Sequence, residues 1–179
     1  ISTEFDVETM DHIQPMESSR LESAVDDGIT TILCLGNSPF ADNKGESGLA
    51  QTIAKKMNAV AYDGSFANTY QTMYNKTYDE TYKPDGLSLY SIVNAICTGD
   101  FSLPERVASK RETEVESETV NMLKNLDYNT VDMLIIMYDL SDYLDNRPLY
   151  SQTDPNDLIT WTGSLNASLE LIEETYPHI

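Results

Sequence analysis

Basic side chains are scarce: Lys and Arg number 11 against 30 Asp and Glu, for a formal net charge of −19. Such a surface repels phosphate backbones and anionic lipid headgroups, which argues against nucleic-acid and anionic-membrane partners. Its neutral counterparts (sugars, esters, small uncharged substrates) stay open, and acidity of this kind also simply favours solubility. Cysteine and histidine occur twice each, as Cys34, Cys97, His12 and His178. None of the close spacings of a structural zinc site is present. No apolar run approaches the ~18 residues of a membrane-spanning helix, so no span is expected. Internal repeats are missing. Glycine is missing between Asn37 and Lys44, which removes the Gly-rich pattern of a phosphate or flavin loop.

What the chain has is the length of one domain, 179 residues, with room for a real core. Residues 1–29 are polar and acidic, broken by Pro15, and read as an arm or linker with at most a short helix in "MESSRLESAV". Residues 30–179 read as the folded domain. "ITTILCL" is an unbroken β-branched and aliphatic run, the pattern of a strand buried on both faces, with Cys34 as a small buried hydrophobe. A Gly-Asn-Ser-Pro turn follows, then "GESGLAQTIAKKMN", with Leu49, Ile53 and Met57 at helical spacing and Lys55 and Lys56 near its end. "AVAYDGSF" is a second strand. Strand, helix and strand together predict a parallel sheet with a right-handed crossover.

Further on, "NTYQTMYNKTYDETYKPDG" is tyrosine-rich and irregular, a loop packed on the domain or a platform for sugar rings. "LSLYSIVNAICTGDFS", ending near Gly99, and "RETEVESETVNMLKNL" read as helices. "TVDMLIIMYDL" is the third strand. A long helix is expected from Pro155 to Tyr176-Pro177, burying Leu165, Leu169 and Ile172. In an α/β sheet, functional groups belong to the loops after the strands' carboxyl ends. Those loops are Gly36–Asp42, Asp63–Asn68 and Asp139–Asp142.

Ser38 stands in the first of them, at a tight strand-to-helix turn where a hydroxyl is exposed beside its own N–H. The same residue type also serves as an ordinary turn or cap. Asp139, Asp142 and Asp145 follow the third strand as a cap and salt-bridge cluster, an alternative base, or ligands for a hard metal. The order of "ILCLGNSPFADNKG", "YDGSFANTY", "DMLIIMYDLSDYLDNRPL" and "TWTGSLNASLELIEETYP" resembles the SGNH hydrolases, also called GDSL esterases and lipases. The likeness covers residues 30–179 and lies in order and spacing, each motif being degenerate.

The resemblance implies a flavodoxin-like three-layer α/β/α fold with a mostly parallel sheet. It implies hydrolysis of small or carbohydrate-linked esters through an acyl-enzyme, with no metal or organic cofactor. Position by position, Ser38 falls at the nucleophile, in Gly36-Asn37-Ser38 instead of Gly-Asp-Ser. Asn68 falls where a glycine N–H helps line the oxyanion hole, and asparagine tolerates left-handed backbone as glycine does. Ser141 falls where an asparagine amide is a further oxyanion donor, with a shorter reach. The family's general base comes from a C-terminal Asp-x-x-His, which this sequence lacks. Thr175 stands three residues before His178, which therefore reads as a helix-terminus residue, and His12 lies in the arm. The expected final strand and helix are also missing, so the base is expected beyond the residues given. A secreted or cell-surface location is favoured. The reading from another class is a non-catalytic surface or carbohydrate-binding module on the same fold.

Overall fold

Three aliphatic runs build the sheet. In a computed structural model of the chain, which describes residues 16–73, 85–111 and 114–179, the strands are β1 (Thr31–Gly36), β2 (Val60–Asp63) and β3 (Met133–Met137). They are parallel, in the order β2-β1-β3, with Thr31 opposite Val60 and Ile32 opposite Met133. β1 is therefore central, and all of its residues are buried, as its unbroken apolar run predicts. β3 is an open edge among the described residues.

Seven helices are described: α1 (Ser38–Ala41), α2 (Leu49–Met57), α3 (Leu89–Thr98), α4 (Ser102–Ser109), α5 (Glu114–Asn125), α6 (Ser141–Leu144) and α7 (Trp161–Thr175). Alternation along β1 divides the core in two. Ile32 and Cys34 pack with Phe40, Ala50, Ala54 and Ala61, under α1 and α2. Leu33 and Leu35 pack with side chains of α3, α4, α5 and α7, among them Ile92, Val107, Leu123 and Ile172. The result is a three-layer α/β/α architecture with an open parallel sheet.

Local chemistry sets the helix ends. Asn58, in left-handed conformation with φ 52°, closes α2, and Gly99, with φ 73°, closes α3. The long C-terminal helix starts later than Pro155. Thr160 is its N-cap, its Oγ1 accepting from the Gly163 N–H at 3.1 Å, and residues 155–159 form the loop before it. Its stripe is also narrower than expected. Ile172 is buried, but Leu169 stays exposed, lining with Met133, Leu134 and Leu165 a groove beside the open edge of β3.

The described part of the N-terminal segment has one 3₁₀ turn, Ser18–Leu21. It runs exposed over the surface but is fastened to the end of the chain. Arg20 Nε–H donates to the Pro177 carbonyl at 2.9 Å and pairs with Glu173 at 3.0 Å. Ser23 meets His178 Nδ1 at 3.2 Å. No helix among the described residues is long and apolar enough to cross a membrane.

Candidate functional site

The chain leaves β1 for β2 on one side and later returns to β3 on the other. The strand order thus reverses at the carboxyl ends of β1 and β3, where open α/β sheets form their crevice. Gly36 ends β1 there because no side chain fits: a Cβ would sit 1.9 Å from the Met137 carbonyl oxygen. Asn37 comes next, and its side chain is buried. Its Nδ2 donates to the Thr69 carbonyl at 2.9 Å and to Asp139 Oδ1 at 2.9 Å. Its Oδ1 accepts from the Asp139 N–H at 2.8 Å. Three of the amide's four hydrogen-bonding positions thus tie the first loop to the third and to Thr69, just past the second.

Ser38 follows at the first position of α1, half-buried, and its hydroxyl has no hydrogen-bond partner among the described residues. Asn68 has φ 53°, the left-handed conformation that a glycine-like position demands. Its carbonyl accepts from Arg111 Nη2 at 3.2 Å. The N–H groups of Ser38 and Asn68 meet no acceptor among the described residues. Ser141 is differently placed. Its hydroxyl donates to Asp139 Oδ1 at 2.5 Å and its N–H to the same oxygen at 2.9 Å. A serine has a single hydroxyl proton, and in this structure it is committed to Asp139. Burial pushes the Asp139 carboxyl up, but the bonds from Ser141 and Asn37 outweigh it and hold the group below the usual carboxylate value.

The other acidic residues after β3 fasten the second loop. Asp142 is buried and accepts from the Gln71 and Thr72 N–H groups at 3.0 and 3.1 Å and from Thr72 Oγ1 at 2.5 Å. Arg147 donates to the Thr72 carbonyl at 3.2 Å and lies 3.6 Å from the centroid of the Tyr70 ring, over its face. The Tyr70 hydroxyl donates to Asp145. Asp139, Asp142 and Asp145 are thus held by separate donors, in the manner of caps. Among the described residues no group of three or more His, Cys, Asp or Glu is arranged to hold a metal ion. With one face taken by Arg147, Tyr70 is no free platform for a sugar. Tyr74, Tyr78 and Tyr82 of the tyrosine-rich stretch lie outside the described residues, as does His12.

His178 is buried just past the end of α7, with Nε2 at 3.1 Å from the Tyr128 carbonyl. Tyr128 precedes β3, so this imidazole sits at the amino ends of the strands, across the sheet from Ser38. The carbonyl partner requires an N–H on Nε2.

One polar cluster was not anticipated. Lys44 Nζ donates to the Asp63 carbonyl at 3.0 Å and to Asp63 Oδ1 at 3.2 Å, and Ser65 Oγ donates to the same carboxylate oxygen at 2.5 Å. Asp63 Oδ2 is buried with no hydrogen-bond partner among the described residues. Burial lowers the Lys44 pKa, with Asp63 opposing it. Burial, and then Asp63, push the Cys34 thiol up to about 12. The sequence signal was an Asp-Gly-Ser at a strand end with a lone lysine in the preceding loop.

Comparisons of this chain with protein-family models, with curated proteins and with solved structures find no match.

Proposed function

We propose that the chain is an SGNH-type serine hydrolase of small or carbohydrate-linked esters, with Ser38 as nucleophile. The observation that carries the reading is that, among the described residues, the Ser38 hydroxyl and the N–H groups of Ser38 and Asn68 have no hydrogen-bond partner, on loops joined by the Asn37–Thr69 bond. Asn37 gathers their loops. Ser38 Oγ would attack the ester carbonyl, and the two N–H groups would hold the oxyanion. Collapse of the tetrahedral adduct expels the alcohol and leaves an acyl-serine, which water then cleaves. Ser141 would join as a donor only by releasing Asp139. The proton of Ser38 needs an acceptor. Asp139 is a weak one, because its donors favour the ionised form.

That last point favours a second reading, a binding module that keeps the fold without the hydrolysis. A fluorophosphonate probe on the full-length chain, read by intact mass, separates the two. Labelling that disappears in Ser38→Ala supports the hydrolase. An unlabelled wild-type protein overturns it in favour of the module.

A further inference from the structure

Beside the Ser38 site the chain has a second feature that the reaction scheme does not use. Tyr138, Leu140, Tyr143, Leu149 and Trp161 line a cavity of about 280 Å³ between α6 and the start of α7. That volume falls just below the ~300–1,000 Å³ of small-ligand pockets. Two of its lining side chains stand far out into solvent: Leu140 is 69% exposed and Tyr143 63%. Two carboxylates, Asp139 and Asp142, also line it. Both are held by donors behind the lining, Asp139 by Asn37 and Ser141 and Asp142 by Gln71 and Thr72. Asp139, held ionised by its donors, repels an anionic ligand, and both oxygens of Asp142 are already occupied. An uncharged apolar group suits both facts.

The cavity is linked to the candidate site through one residue. Asp139 belongs to its wall and is bonded to Asn37, the residue before Ser38. We propose that this cavity receives an uncharged apolar chain. On the hydrolase reading above, on which this assignment rests, that chain is the acyl group of the ester, making the preferred substrates esters of aliphatic acids longer than acetate.

Trp161 is the sole tryptophan of the chain and lies in the cavity wall, so its emission reports occupancy without any turnover. The test titrates Ser38→Ala protein with methyl alkyl ketones, butanone to decanone, as uncharged mimics of the ester that do not react. Trp161 emission is expected to change. Affinity should rise about fourfold per added methylene until the chain fills the cavity. Leu140→Asp and, independently, Tyr143→Ala replace rim side chains that are mostly in solvent, so the fold tolerates them. Each should weaken decanone binding about tenfold. Emission that is indifferent to the whole series, affinity that is flat with chain length, or binding that neither variant alters overturns the proposal. The two readings fail separately. Ketone binding without fluorophosphonate labelling removes the hydrolase and leaves the apolar site, whereas labelling with a flat ketone series does the reverse.

Discussion

Asn37 decides the geometry at the scale of single residues. It donates twice and accepts once across loops that lie 32 and 102 residues away. Replacing it by the aspartate of the Gly-Asp-Ser pattern removes both donors and sets a buried carboxylate against Asp139. Asn37→Asp is therefore expected to cost about 3 kcal/mol at pH 7, a fall in melting temperature of roughly 10 °C. The sign of its pH dependence follows from Asp139. The pKa of that carboxyl is lower in the fold than in the unfolded chain. Its contribution is thus complete above the ordinary carboxylate value near ~4 and fades as pH falls through the folded-state value. In the variant, acid instead relieves the repulsion. Thermal melts from pH 7 downward should show the gap between wild type and Asn37→Asp closing as pH drops.

Among the elements, the strand ends are the sensitive places. Lys44 neutralises Asp63 where β2 stops, with side-chain exposures of 22% and 7%. Lys44→Met leaves that carboxylate buried and uncompensated, which is expected to cost about 3 kcal/mol. The double variant with Asp63→Asn should recover at least half of this, as chemical denaturation of the four proteins would show. An unchanged midpoint for Lys44→Met would mean that Asp63 is hydrated. The strands themselves were legible, because continuous runs such as "ITTILCL" and "DMLIIM" have one good solution, a parallel sheet. The helix of Leu49–Met57 was equally plain from its spacing and its lysines, but its buried face is Ala50 and Ala54 with Ile53, while Leu49 and Met57 stay exposed. α4 was not, since "SLPERVAS" offers only Leu103 and Val107 at helical spacing, with a proline between them that reads as a breaker. Near a helix start proline is tolerated, and packing against α5 makes the helix. The start of α7 was misplaced because Pro155 signals a beginning more loudly than Thr160 does. At the candidate site, the three loops were found from the rule about strand ends. The clamp at Asn37 was not, because its partners are distant in sequence, and neither was the apolar cavity, which two short elements assemble from scattered residues.

For the molecule as a whole, the central strand ties both halves of the core together, and Cys34 is its built-in probe. A thiol pushed up to about 12 and fully buried is a poor nucleophile. At pH 8 a thiol reagent should leave Cys34 untouched in the native protein and modify it only as the sheet opens. Site-resolved mass spectrometry across a denaturant series would check this: Cys34 labelling should follow the global unfolding curve. Prompt modification under native conditions would place β1 in a locally opening unit.

The fastening of Arg20 and Ser23 to Glu173, Pro177 and His178 bears on how the chain is made. Translation delivers the first partners early and the last ones at the very end of this stretch. Until α7 and its tail emerge, the Ser18–Leu21 turn has nothing to grip, and the newborn domain carries a loose strand of acidic chain open to proteases. Closure of this clasp is then the natural late event of assembly, and nicking between residues 16 and 29 a direct gauge of whether it has happened.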